Sequence, residues 1–203
     1  MIELRGEPLV GRLWRQLRAY HTSSAPPVVV CTGDDAIVSA YCSTQLSATI
    51  VRQAVPDGVA NAFRLAGPLL RGPALVVLGD VVIDGSLGAR PAAPALVLWR
   101  AAPPAVTTRN FGVVLDAAGA PATLVEKPAD PHGMHCGLGL YWLTPEVIET
   151  FADAPVNPRT GEREITAALS FAMTSTRFGA WDFVGRYFNL NTAEDLADAE
   201  AAL

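Results

Sequence analysis

Apolar and polar positions alternate along this chain in short periodic segments. Leu9, Leu13 and Leu17 recur at helical spacing behind Pro8, with Arg12, Arg15 and Arg18 on other faces, which predicts an amphipathic helix over residues 8–20. "PVVVCT" (27–32) is an apolar run of strand length, "DDAIVSAYCSTQL" (34–46) fits a helix and "ATIVRQ" (48–53) a second strand. From Gly58, "GVANAFRLAGPLL" predicts a helix broken near Gly67-Pro68, leading to a strand that ends at Asp80. This alternation predicts a parallel, doubly wound sheet whose ligands bind beyond the carboxyl ends of the strands.

Within "ALVVLGDVVIDG" (74–85), Asp80 separates two apolar runs. Burying an unpaired carboxylate costs several kcal/mol or more. The acid is therefore expected at a strand end, facing a metal ion or cationic group that compensates its charge. Asp84, four residues on, reads as a turn or helix-start acid, and the spacing does not give a D-x-D pair.

The second half changes character. "ALVLWRA" (95–101), "FGVVLD" (111–116), "ATLVEK" (122–127) and "GLGLYWL" (137–143) lie close together, which predicts antiparallel or mixed pairing with a hairpin at Asp116-Ala-Ala-Gly119. Thr144-Pro145-Glu146 is a helix start, and Thr192-Ala-Glu-Asp195 opens a final helix as an approximate capping box with Asp in place of Glu. "ARPAAPA" and "RAAPPA" read as loop edges, and no internal repeat is present.

Composition narrows the class. A chain of 203 residues, half of them hydrophobic and 17% charged, suits one globular α/β domain over 1–203. A net charge of −5 offers no basic stripe, so nucleic acid is not an expected partner. No apolar run approaches the roughly 18 residues of a membrane span. Glu3, Arg5 and Glu7 stand where a signal peptide needs apolar residues, so no membrane association and a cytoplasmic location are expected. Cys31, Cys42 and Cys136 read as reduced thiols, and His21, His132 and His135 share no ligand spacing. The four tryptophans read as core or surface aromatics.

Four ordered segments carry the chemistry: "QAVPDGVANAF" (53–63), "LVVLGD" (75–80), "NFGVVLDAAGAPATLVEKP" (110–128) with "CGLGLYWLTPEV" (136–147), and "FNLNTAEDLADAE" (188–200). Together they resemble the sugar-1-phosphate nucleotidylyltransferases, such as glucose-1-phosphate thymidylyltransferase. The resemblance implies a Rossmann-like mixed sheet of the nucleotide-diphospho-sugar transferase type, with residues 1–90 on the nucleotide side and 91–203 on the sugar-phosphate side. It implies that a nucleoside triphosphate and a sugar-1-phosphate react, releasing pyrophosphate. Asp80 and Asn189 would hold Mg²⁺, and Asp80 and Lys127 would be catalytic. Gly112, Glu126, Lys127 and Gly137 would contact the sugar phosphate, and Gln53 and Gly58 the nucleobase.

Read singly, these residues have plainer roles. Asp80 is a strand-end turn acid, Lys127 a solvated hairpin lysine, Asn189 a turn or cap former, and Gln53 and Gly58 a strand end and a helix start. The segment "NPRTGEREIT" (157–166) resembles a substrate-side stretch of the same family, and the roles of Arg159, Glu162 and Arg163 stay open. The family's first strand, glycine-rich triphosphate loop and following lysine would precede Met1, and Glu7 replaces the lysine usual before proline. The chain as given is accordingly expected to turn over slowly or not at all. A noncatalytic homologue that binds sugar phosphate or nucleotide sugar, or regulates a catalytic partner subunit, is the alternative, and assembly as a homo-oligomer stays open. A dinucleotide-binding domain is disfavoured, since no G-x-G-x-x-G follows the first strand.

Overall fold

A computed structural model describes residues 1–20, 25–33 and 35–203. Two short antiparallel strands, β1 (Glu3–Leu4) and β2 (Glu7–Pro8), open the chain, turned at Arg5 and Gly6. Pro8 then enters α1 (Leu9–Leu17), and a 3₁₀ turn over Arg18–Tyr20 completes the predicted helix. Next come β3 (Val28–Thr32), α2 (Ala36–Gln45) and β4 (Thr49–Gln53), each within two residues of its predicted span. Asp34, the first residue of the predicted second helix, and His21 lie outside the described residues.

The helix α3 (Val59–Ala66) passes at Gly67-Pro68 into a 3₁₀ turn, which is the predicted break. The remaining elements are β5 (Ala74–Val77), β6 (Val81–Leu87), β7 (Ala95–Trp99), α4 (Pro104–Thr107), β8 (Phe111–Leu115), β9 (Pro121–Glu126), β10 (His135–Leu143), α5 (Pro145–Thr150), α6 (Ile165–Ala172), β11 (Gly179–Asn189) and α7 (Ala193–Ala202). Thr144 caps α5 by accepting the Val147 N–H at 3.3 Å.

The chain divides into two compact units that interleave in sequence. The first comprises Met1–Val55, Val77–Ser86 and Gly185–Leu203, and the second Pro56–Val76 and Leu87–Val184. In the first unit, β3 and β4 pair in parallel, as expected, with Thr32 opposite Gln53. Leu9 and Leu13 of α1 are buried, and Gly11 lets the helix approach the Tyr41 hydroxyl of α2 where a Cβ would sit 2.2 Å away. Val81, Val82 and Ile83 of β6 are all buried, and Gln16 of α1 donates to the Ile83 carbonyl at 2.5 Å.

Asp84 continues β6 where a turn was expected, because Arg186 on neighbouring β11 donates Nε to its carboxylate at 2.9 Å.

The second unit is built on a mixed sheet in the order β11-β7-β10-β8-β9, with β5 beside β10. β11 runs parallel to β7, while β7 with β10, β10 with β8 and β8 with β9 are antiparallel. The parallel reading of the first half therefore applies to β3 and β4, whereas β5 joins this second sheet. Helices α3, α5 and α6 pack together, with Phe63 against Tyr141 at 5.7 Å and Phe151 at 6.3 Å between ring centroids. Trp181 meets Trp142 edge-on at 6.0 Å and donates Nε1–H to the Gly88 carbonyl. The predicted hairpin forms as read, with Gly119 at φ 78° and Asp116 Oδ1 accepting the N–H groups of Ala118 and Ala120.

Candidate functional site

Strand β5 stops at Val77, and Gly79-Asp80 turns the chain into β6. The Asp80 carbonyl accepts the Leu190 N–H at 2.7 Å, which ties this turn to the residue following Asn189. Both belong to the first unit. Asp80 Oδ1 and Asn189 Oδ1 are buried side-chain oxygens with no hydrogen-bond partner. Burial holds the Asp80 carboxyl above its ordinary 3.8, partly offset by a hydrogen bond from its own backbone N–H.

Buried oxygens are normally paired, so two orphans on adjoining backbone ask for a group that takes lone pairs. A carboxylate and an amide carbonyl are hard oxygen donors of the kind Mg²⁺ prefers, and Mg²⁺ keeps several of its own waters. Among the described residues no group of three His, Cys, Asp or Glu is arranged to hold a metal, so two protein oxygens are the donor set this corner offers. Gln53 is also in the first unit, 3% exposed at the carboxyl end of β4.

The second unit brings Gly112, Glu126 and Gly137 into three adjacent strands, with Lys127 directly after β9. Glu126 ends β9, exposed, and its Oε2 accepts the hydroxyl of Thr166 on α6 at 2.5 Å. Thr166 is itself buried. Lys127 follows at φ 43°, a left-handed conformation that a lysine before proline rarely adopts, and its N–H donates to the Asn110 carbonyl at 2.8 Å. That bond adds one rung to the β8–β9 ladder and turns Lys127 out of the strand. Glu126 and Lys127 thus stand at the opposite end of the hairpin from the Asp116–Gly119 turn.

The three glycines have close neighbours. A Cβ at Gly112 would meet Met134 Sδ at 2.5 Å and Pro128 Cγ at 3.2 Å, and one at Gly137 would stand 2.0 Å from the Phe111 ring. Gly58 has φ 108°, and a Cβ there would meet the Arg163 carbonyl at 2.4 Å. Arg163 N–H donates to the Asp57 carbonyl and Ala60 N–H to the Arg163 carbonyl, so "NPRTGEREIT" packs its backbone on the start of α3. Thr166, Met134 and Phe111 were not singled out by the sequence. Thr166 lies in "NPRTGEREIT" and Phe111 in "NFGVVLDAAGAPATLVEKP", segments that carry the resemblance, whereas Met134 has no such signal.

Comparisons with known proteins agree with this architecture. The family model described as nucleotidyl transferase matches residues 6–202. No curated protein matches the sequence. Among solved structures, UDP-glucose pyrophosphorylase complexed with UDP-glucose superposes with a TM-score of 0.77 at 17% identity, over 100% of this chain and 88% of that one. Its apo form gives 0.79 at 17% identity, again over 100% and 88%. A Bacillus anthracis protein assigned as a glucose-1-phosphate thymidylyltransferase, in complex with sucrose, gives 0.76 at 18% identity, over 99% of this chain and 84% of that one. These likenesses establish the nucleotide-diphospho-sugar transferase type of fold.

Proposed function

We propose, because this chain belongs to the nucleotidyl transferase family, that it joins a sugar-1-phosphate to a nucleoside triphosphate and releases pyrophosphate, giving a nucleotide sugar. The observation that carries the reading is the Asp80–Leu190 bond, which sets two donorless oxygens, Asp80 Oδ1 and Asn189 Oδ1, on adjoining backbone. These oxygens would hold Mg²⁺, whose chemistry when bound is to neutralise charge on the triphosphate.

A sugar-phosphate oxygen attacks the α-phosphorus, forming one P–O bond as the bond to the β-phosphate breaks and pyrophosphate leaves. Such transfers need little covalent help, so positioning and charge carry the catalysis. The Lys127 ammonium would bind the sugar phosphate. The Glu126 carboxylate would accept hydrogen bonds from sugar hydroxyls, held in one orientation by Thr166. Gln53 and Gly58 are assigned to the nucleobase edge, and the backbone at Gly112 and Gly137 to the sugar. A cytoplasmic location, where nucleoside triphosphates are held, goes with this reading. No helix among the described residues is long and apolar enough to cross a membrane.

The test is pyrophosphate release by the purified chain with Mg²⁺, a panel of nucleoside triphosphates and several sugar-1-phosphates. Release is expected to require both substrates and to fall about 100-fold or more in Asp80→Ala. Lys127→Ala should raise the KM for the sugar phosphate by about 10- to 100-fold, the range of a lost charged hydrogen bond. A chain that neither turns over nor binds any sugar-1-phosphate overturns the proposal. Binding without turnover would favour the noncatalytic homologue.

A further inference from the structure

The corner that carries Asn189 is held by a second acid. Asp195 is 6% exposed, and its Oδ2 accepts the N–H groups of Asn191 at 2.9 Å and Thr192 at 2.8 Å. The Asp195 N–H returns to Thr192 Oγ1 at 3.1 Å, completing a full capping box at α7 where the sequence promised an approximate one. In an ordinary capping box the acid takes one backbone N–H, that of the cap residue. Here the carboxylate takes a second, from Asn191, which lies outside the helix and two positions after Asn189. Leu190, between them, is tied to the Asp80 carbonyl at 2.7 Å.

Residues 190–192 are thus clamped from both sides, by the Asp80 backbone and by two charge-assisted bonds to a buried carboxylate. We infer that Asp195 is a positioning residue of the cation site: its carboxylate holds this corner so that the Asn189 and Asp80 oxygens face the same divalent ion. It acts through the backbone. The inference rests on the reading of Asp80 and Asn189 as the metal pair.

Mn²⁺, added alone to the full chain and followed by electron paramagnetic resonance, reads binding at the pair without turnover. Asp195→Ala is expected to weaken Mn²⁺ binding about tenfold or more, the scale of losing an outer partner of a metal ligand. Asp195→Asn, whose amide oxygen can still accept both N–H groups, should recover most of it. Thr192→Ala removes the other half of the cap and leaves the Asn191 bond, so its affinity should stay within about twofold of wild type even if its melting temperature falls. Should Asp195→Ala fail to fold, the unmodified chain still decides the matter. Binding and order are reciprocal, so saturating Mg²⁺ should slow hydrogen exchange at the Asn191 and Thr192 amides.

Wild-type affinity in a folded Asp195→Ala, a loss in Thr192→Ala equal to that in Asp195→Ala, or unchanged exchange in a chain that binds Mg²⁺ would each overturn the inference while leaving the metal pair intact. A wild-type chain that binds no Mn²⁺, or an Asp80→Ala variant that binds as well as wild type, overturns the metal-pair reading itself.

Discussion

Replacing Asp80 with asparagine should stabilise the metal-free protein while removing its response to Mg²⁺. Asp80 Oδ1 is buried without a donor, and burial raises the carboxyl's pKa, so the ionised group is less well solvated in the folded protein than in the unfolded one. A buried polar group left unsatisfied costs about 1–3 kcal/mol. Asparagine leaves a polar atom equally without a partner there and relieves only the extra cost of burying the charge, about 1 kcal/mol for a side chain that keeps some exposure. For a chain of this size 1 kcal/mol is about 2–4 °C in Tm, so Asp80→Asn in EDTA should melt that much higher than wild type. Mg²⁺ at 100 times its Kd stabilises the folded state by about 2.7 kcal/mol. Wild type should therefore gain about 5–11 °C and the variant almost nothing, which reverses their order. Scanning calorimetry at pH 7, with EDTA and with Mg²⁺, reads both arms. If the variant melts below wild type in EDTA, or if both rise alike with Mg²⁺, the account of Asp80 as an acid with one donorless buried oxygen awaiting a cation is wrong.

Thr166→Val keeps the shape of a buried side chain and deletes its hydrogen bond to Glu126. In the proposed role of Glu126 the sugar must then immobilise its carboxylate at about 0.5–1.5 kcal/mol, so the KM for the sugar-1-phosphate should rise about two- to twelvefold with kcat little changed, and an unchanged KM would remove Thr166 from the proposed site. Gly137→Ala should cost about 1–3 kcal/mol by overpacking, because the Phe111 ring it strikes is buried and stacked on Tyr141 at 6.3 Å. Gly112→Ala should cost less, since the flexible Met134 can withdraw; comparing the two melting temperatures checks the order. Burial pushes the Cys42 and Cys136 thiols up to about 11. An aromatic disulfide reagent at pH 8 should label them only as fast as the chain unfolds, and labelling at the rate of a free thiol would contradict their burial.

How far the fold could be read in advance depended on whether each element's signal was local. Helix α1 and strands β3 and β4 show their periodicity within ten residues, and their bounds followed. β6 did not, because Asp84-Gly85-Ser86 has the composition of a turn. It stays extended through its pairing with β11 and Arg186, about a hundred residues away. β11 alternates buried Trp181 and Phe183 with exposed Asp182 and Val184, yet an apolar residue on the solvent side and Gly185 at its centre blurred that alternation. In "RAAPPA", Pro103 precedes α4 and Pro104 begins it, positions where a missing N–H is harmless. Proline there marked a helix start as readily as the expected loop.

The site divides along the same line. Asp80, Glu126, Lys127 and Asn189 could be proposed from motifs because each carries polar atoms of its own. The glycines could not be interpreted so directly, since a glycine states only that something comes close. What comes close lies on another element: the Arg163 backbone at Gly58, Met134 at Gly112 and Phe111 at Gly137. Two of these neighbours are side chains, and although Phe111 stands beside Gly112 in the same motif segment, Met134 lies outside every one, so the shape of that surface depends in part on a position that carries no motif. Phe111 is held by its stacking on Tyr141, whereas Met134 is unbranched and adaptable. A change in the accepted sugar should therefore follow substitution at Met134 at a smaller cost in stability than substitution at Phe111. If Met134→Ala leaves the relative kcat/KM values across a sugar-1-phosphate panel unchanged, the surface over Gly112 does not meet the sugar, and the assignment of Gly112 falls with it.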